Sequence, residues 1–316
     1  MEPKPDEDIS SLVRIHEDGS IERVKGTEVV PPGVDPQTNV QSKDVIISQE
    51  PYISSRLYHP KKDNTKPNQK LPLLVYFHGG GFSIESAFSP LYHGYLNSLV
   101  SLANVVALSV NYRRVPEHPI PIPYEDSWAA LEWVASHSDG DGPEEWINSH
   151  ADLARVFLGG DSAGANIAHN IGIRFGEEKL GGIDIVGIFL AQPYFWGKEP
   201  IANEPGSGTE KRAKIDEFWV FAAPGSSGND DPLINPLFNP KLAKLGCKKV
   251  LVAIAEKDFL RDRGWFYYEL LGKSGWGGAV EIMEAKGEGH VFHLFNPTCD
   301  NALEFLERVA SFLNLG

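Results

Sequence analysis

The stretch Gly160-Asp161-Ser162-Ala163-Gly164 is the part of the chain best suited to chemistry. A short apolar run, residues 154–158, precedes it, and a helix-like run, residues 165–171, follows. A strand that turns abruptly into a helix forces its turn residue into a strained backbone, and small neighbours keep side chains apart. The serine hydroxyl then stands at the carboxyl edge of a sheet, at the positive end of the new helix. Such a hydroxyl can attack a carbonyl carbon if three groups accompany it: a base, an orienter for the base, and donors for the oxyanion. A tight turn with a capping serine is the plain alternative.

All three groups have candidates, each just after an apolar run. Phe77-His78-Gly79-Gly80-Gly81-Phe82 follows the run 73–77. Three successive glycines leave backbone N–H groups free to point into a site, so Gly80 and Gly81, with the N–H of Ala163, are the expected oxyanion donors. A phosphate-cradling loop would need a Gly-Lys-Ser/Thr ending. The only Gly-Lys-Ser, at Gly272-Lys273-Ser274, has Tyr267 where that loop's first glycine belongs. Asp258, shortly after the run 250–254, is the expected orienting acid; Asp262 reads as a helix opener and Glu256 as a turn residue. His290, in Glu288-Gly289-His290-Val291-Phe292, is the expected base. His290 and His293 lack the further ligands that a metal site needs, so neither metal nor cofactor is expected. Most of the ten histidines read as structural; His78 is expected to bond within its own loop.

The elements that must position these residues are legible as a pattern. Continuous apolar runs at 73–77, 105–110, 155–158, 185–190, 250–254 and 280–283 read as central strands covered on both faces. Helical stretches separate them. One begins near Tyr124, with Trp128, Leu131 and Val134 on its apolar side. The last carries Leu303, Leu306, Ala310 and Leu313 on one face, with Phe305, Val309 and Phe312 beside it. Alternation of this kind predicts an α/β fold: a mostly parallel central sheet with helices on both faces and the site at the carboxyl ends of the strands. Residues 43–48 and 52–58 read as an antiparallel pair, and short strands flank the Glu17-Asp18-Gly19 turn. Residues 61–70 read as a polar linker. The single domain, 1–316, is expected to carry a lid built from the N-terminal arm, 1–45, and from a Gly/Pro/Ser/Asn-rich insertion, 196–240, with one helix near 214–223. Phe82, Ile84, Tyr194, Trp196, Phe218, Trp219 and Val291 flank these loops or lie in the lid; they are candidates to line a substrate pocket, and each is equally explicable as core.

Composition narrows the classes. A net charge of −14 over 316 residues argues against nucleic acid or an anionic membrane as partner. No apolar run approaches a membrane span. The acidic start has no signal-peptide or transit-peptide character, and two distant cysteines, Cys247 and Cys299, make no disulfide framework. A cytoplasmic protein acting on a small molecule, with no obligatory protein partner, is the expectation.

The ordered set Tyr76-Phe77-His78-Gly79-Gly80-Gly81-Phe82, Tyr112-Arg113-Arg114-Val115-Pro116-Glu117-His118-Pro119, Gly160 to Gly164, Asp258 and His290 resembles the hormone-sensitive-lipase-like branch of the α/β-hydrolases. Asp35-Pro36-Gln37-Thr38, Ser42-Lys43-Asp44-Val45 and Leu260-Arg261-Asp262-Arg263 resemble plant carboxylesterases in particular. The resemblance spans nearly the whole chain. It implies ester hydrolysis by a Ser162–His290–Asp258 triad through an acyl-enzyme, on small and fairly apolar esters. The family usually has Leu-Ala where Arg114-Val115 stand here. It also includes gibberellin receptors, which lack the base histidine; 2-hydroxyisoflavanone dehydratases, similar around Glu85-Ser86-Ala87-Phe88 and Pro193-Tyr194-Phe195-Trp196-Gly197; and alkaloid cyclases. A lyase reaction with His290 as base is therefore the second implication.

Overall fold

The computed structural model describes residues 12–61 and 70–315. The acidic first residues and most of the expected linker lie outside the described residues. Eight strands form one sheet: β3 (Val40–Gln49), β4 (Tyr52–Pro60), β5 (Leu71–Phe77), β6 (Val106–Asn111), β7 (Ala151–Asp161), β8 (Ile185–Ala191), β9 (Lys249–Ala255) and β10 (Ala279–Ala285). Their order across the sheet is β10-β9-β8-β7-β5-β6-β4-β3. From β10 to β6 every pairing is parallel, while β4 runs antiparallel to both β6 and β3. The cause is visible in the sequence. Every residue of β5 is buried, as a run without polar alternation requires, so both faces must be covered. The run 280–283 departs from that expectation: β10 is an edge strand, carries Glu281, and stays only partly buried.

Helices supply that cover in two layers. On one face pack α2 (Ile122–Ala135), α4 (Ala163–Glu177) and α6 (Arg261–Lys273), through side chains such as Trp128, Ile167, Ile171, Tyr267 and Leu271. On the other pack α1 (Pro90–Ala103) and α8 (Asp300–Leu313), through Leu96, Leu99, Phe305, Val309 and Phe312. Short helices α3 (Glu145–His150) and α7 (Phe292–Phe295) complete the main body. The terminal helix departs from the expected stripe at its first member. Leu303 is 45% exposed, while Ala310 and Leu313 of that stripe are buried with Ala302, Phe305, Val309 and Phe312, and Leu306 is half-buried. Two apolar stripes lie side by side on this helix; the one bearing both phenylalanines buries more apolar area and faces the sheet.

Two pieces stand above the carboxyl edge. The N-terminal hairpin pairs β1 (Val13–Ile15) with β2 (Ile21–Arg23). The segment after β8 carries α5 (Glu210–Ala222), capped at its start by the Thr209 side chain, which accepts from the Arg212 N–H. Leu12 and Val13 of the hairpin pack with Ile84, and Phe218 of α5 closes the same cluster. Arg23 fixes the hairpin to the body: its guanidinium donates to the Ser83 and Val115 carbonyls and forks onto Glu117 at 2.8 and 2.6 Å. Among the described residues no helix is long and apolar enough to cross a membrane.

Candidate active site

Ser162 is the hinge between β7 and α4. Its backbone stands at φ 52°, ψ −119°, outside the regions that a side chain ordinarily allows. The two flanking glycines have a direct steric reason. A Cβ at Gly160 or at Gly164 would run into the Phe77 carbonyl oxygen at the end of β5. The neighbouring strand and the new helix thus approach as closely as bare backbone permits, and the hydroxyl is pushed outward over the sheet edge.

His290 and Asp258 reach Ser162 from the ends of β10 and β9. Ser162 Oγ and His290 Nε2 are 2.9 Å apart, and His290 Nδ1 is 2.8 Å from Asp258 Oδ2. The Asp258 carboxylate is 1% exposed and the imidazole 27%. The second carboxylate oxygen, Oδ1, accepts the Leu260 N–H at 3.0 Å, so the acid cannot rotate without losing both bonds. The two rejected acids sit elsewhere: Glu256 accepts from Gly287 N–H, and Asp262 opens α6, where it accepts from Asn203 N–H and pairs with Arg261. His293, the other histidine of that loop, is buried between Tyr95 and Phe305 in the second core, and burial lowers its pKa to about 3.

The glycine loop lies opposite. Gly80 and Gly81 have φ of 88° and 58°, a region that favours glycine. The loop closes by a turn in which Ser83 and Ile84 N–H groups donate to the Gly80 carbonyl. No backbone acceptor among the described residues takes the N–H of Gly80, Gly81 or Ala163. His78 bonds within this loop as expected: Nδ1 lies 2.9 Å from the Gly79 carbonyl oxygen and the ring stacks on Tyr112 at 4.2 Å. Burial depresses its pKa to about 3, which keeps it neutral. Arg114 donates to the carbonyl of Glu85 just beyond the loop.

The candidate pocket residues separate into groups. Phe218 lies over Gly81, where a Cβ would overlap its ring, and meets Tyr194 edge-on at 5.7 Å. Ile84 joins it in the small cluster with Leu12 and Val13. Phe82 and Trp219 are fully buried, 6.3 Å apart between ring centroids. Val291, with φ 46°, starts α7 and packs toward the second core. Trp196 has no exposed surface at all: its ring lies under the Arg212 and Arg263 guanidiniums and its Nε1 donates to Asp216 at 2.7 Å. Sequence reasoning missed Phe259, whose 40% exposed ring lies 5.4 Å from that of His290. It also missed Asp161, Tyr76 and Tyr92. The signal was present for two of them, since Asp161 sits inside the serine motif and Tyr76 two residues before His78.

Burial sets the protonation of Asp161. Desolvation raises its pKa to about 6, against the opposing effect of hydrogen bonds from Tyr76 and Tyr92 and of the nearby His290. Desolvation likewise raises the pKa values of both tyrosines, so they are hydroxyl donors at neutral pH.

A hydrogen-bonded Ser–His–Asp chain thus stands at the carboxyl ends of β7, β10 and β9 of a doubly covered α/β sheet, with the glycine loop after β5 opposite it. The chain belongs to the family of the alpha/beta hydrolase fold, whose model matches residues 74–294. It is 50% identical over 308 residues to probable carboxylesterase 7 of Arabidopsis thaliana, covering 97% of each chain. It is 48% identical over 317 residues to 2-hydroxyisoflavanone dehydratase of Glycyrrhiza echinata, covering 98% of this chain and 96% of the relative. Among solved structures, a thermostable carboxylesterase cloned from a metagenomic library superposes with TM-score 0.70 at 28% identity, covering 90% of each chain. An esterase from Pyrobaculum calidifontis superposes with TM-score 0.69 at 26% identity, over 86% of this chain and 84% of the other.

Proposed function

We propose that this chain is a serine carboxylic ester hydrolase acting in the cytosol on small, fairly apolar esters. The observation that carries the reading is the hydrogen-bonded chain Asp258–His290–Ser162, at 2.8 and 2.9 Å, set against the N–H groups of Gly80, Gly81 and Ala163. Ser162 Oγ adds to the ester carbonyl carbon while its proton passes to His290 Nε2. The three N–H groups hold the resulting oxyanion; losing one such donor costs ~3 kcal/mol of transition-state stabilisation. Asp258 fixes the imidazole tautomer and balances the imidazolium. The tetrahedral adduct collapses, the C–O bond to the alcohol breaks, and His290 returns its proton to the leaving oxygen. Water, deprotonated by His290, then cleaves the acyl-enzyme and restores the serine. Phe218, Ile84 and Tyr194 form the apolar wall beside the oxyanion loop, which favours apolar acyl groups. The carboxylesterase relatives support this reading. The test is hydrolysis of a p-nitrophenyl acyl series by the wild type and by Ser162→Ala; equal rates for the two would refute it.

A second reading rests on the 2-hydroxyisoflavanone dehydratase relative. There His290 would take a proton from carbon and the glycine loop would stabilise the developing enolate as water leaves. Product analysis separates the two. A dehydrated product, still formed by Ser162→Ala, would displace the esterase reading.

A further inference from the structure

We infer that Tyr92 and Asp161 are positioning residues that set the oxyanion loop, acting on its backbone without touching substrate. The inference deepens the esterase reading and rests on it for its catalytic consequence. Asp161 is the last residue of β7, and its carboxylate is 1% exposed. Its two oxygens are each taken by a phenol: Oδ1 accepts from Tyr76 at 2.7 Å and Oδ2 from Tyr92 at 2.9 Å. No salt bridge to Asp161 is present among the described residues. Burying a carboxylate without a cation is costly, and an apolar residue of similar size would pack there at lower cost. The geometry shows what the charge accomplishes. Tyr92 Oη accepts the Gly79 N–H at 2.8 Å, and it offers a lone pair there only while its own proton points at Asp161. A line of two hydrogen bonds thus runs from the residue before the nucleophile to the residue before the oxyanion donors.

The contact with the loop is tight. A Cβ on Gly79 would overlap Asp161 Oδ2 and lie 3.0 Å from Tyr92 Oη. The loop backbone therefore rests directly on the carboxylate and the phenol. Three elements converge here: β5 brings Tyr76, α1 brings Tyr92 and β7 brings Asp161. A separate bond holds the other side, where Tyr112 Oη donates to the His78 carbonyl at 2.7 Å. Of the three phenols Tyr92 alone takes the N–H of Gly79, the residue next to the donors, and the same N–H also acts directly on the Asp161 carboxylate.

Tyr92→Phe removes the oxygen that accepts the Gly79 N–H and relays the carboxylate to the loop, and keeps the ring packed on Tyr76 and His78. With p-nitrophenyl acetate, kcat is expected to fall about ten- to a hundredfold with KM within about twofold, somewhat less than for outright loss of an oxyanion donor. Affinity for phenylboronic acid should fall by the same factor as kcat/KM, because its Ser162 adduct places an anionic oxygen at the same N–H groups. Tyr76→Phe, which relieves Asp161 of one bond but leaves Gly79 bonded, should change kcat by less than about threefold. Amide hydrogen exchange over residues 77–84 should accelerate in Tyr92→Phe and stay unchanged in the sheet. Should Tyr92→Phe fail to fold, Asp161→Asn carries the same three readouts. Unchanged exchange at 77–84, or a kcat within threefold of wild type, overturns the inference. Absence of ester hydrolysis in the wild type would overturn the esterase reading instead, and the exchange result would still decide the role of Tyr92.

Discussion

Glu204→Gln is the substitution that tests how the segment above the site is held. The side chain of Glu204 is 1% exposed between Arg212 of α5 and Arg263 of α6, whose side chains are 1% and 4% exposed. Its Oε2 accepts from both guanidiniums at 2.8 Å, and its Oε1 accepts from Arg263 Nε at 2.5 Å. The same arginines donate to the carbonyls of Gly197, Lys198 and Glu199, so the cluster fixes the chain as it leaves β8. Glutamine keeps the shape and one acceptor oxygen but removes the charge. At an effective dielectric of about 20, a pair whose charges are about 4 Å apart is worth about 4 kcal/mol before desolvation. The desolvation of the arginines persists in the variant, and their mutual repulsion is no longer offset. Breaking a buried pair costs about 3–5 kcal/mol. Asp216, 3.2 Å from Arg212 Nε and one-third exposed, compensates part of the loss. The expected destabilisation is therefore about 3 kcal/mol, at the lower end of that range. Urea denaturation read by tryptophan fluorescence measures it, with Trp196 and Trp219 as reporters within this segment. Glu199→Gln, at an exposed neighbour, should move stability by less than about 0.5 kcal/mol. A Glu204→Gln effect below about 1 kcal/mol would refute the reasoning, since a pair worth that little is no more than a surface salt bridge. Because α5 carries Phe218 over Gly81, kcat/KM should fall with stability.

Two further outcomes are expected. The pKa of Asp161 is raised from 3.8 to about 6 by burial, so the folded state binds its proton more tightly than the unfolded state does. Its contribution to stability is complete below pH 4 and is lost as pH rises through 6, by about 3 kcal/mol in all. Asp161→Asn abolishes that titration. The stability of the variant relative to wild type should therefore rise by roughly 2 kcal/mol between pH 4.5 and 8, and a difference independent of pH would contradict the assignment. Gly164→Ala drives a methyl into the Phe77 carbonyl oxygen at the point where β5 and α4 touch. The backbone must move, and a loss of about 3 kcal/mol or more is expected in thermal or urea unfolding, with activity falling in parallel.

The order of the catalytic candidates and the alternation of strands and helices were legible before any coordinate. Both are written in short stretches. A fully apolar run of five or six residues announces a strand covered on both faces, and Gly-x-Ser-x-Gly or three consecutive glycines announce a backbone that no larger residue could follow. Ser162 and Asp258 each follow such a run by four residues, and His290 follows the partly exposed edge strand β10, so the strands located the edge at which the three would meet. Arm and insertion were legible as departures from that alternation, through their glycines, prolines and polar residues.

Relations between distant stretches are what only the tertiary structure decided. Seven aromatic and aliphatic residues near the loops looked alike in sequence. Packing then placed Phe218 over Gly81, covered Trp196 with two arginines, and buried Phe82 and Trp219 in the core. Periodicity allowed two stripes on the terminal helix, and contact with the sheet chose the one without Leu303. Nothing local in the sequence singles out Asp161 or Glu204 as a buried carboxylate; Tyr76 and Tyr92 meet the one, and Arg212 and Arg263 close on the other, only in the fold. A local pattern records the conformation that a few residues impose on their own backbone. The state of a buried charge depends on which groups, dozens of residues away, are folded against it, and that is decided when the layers pack.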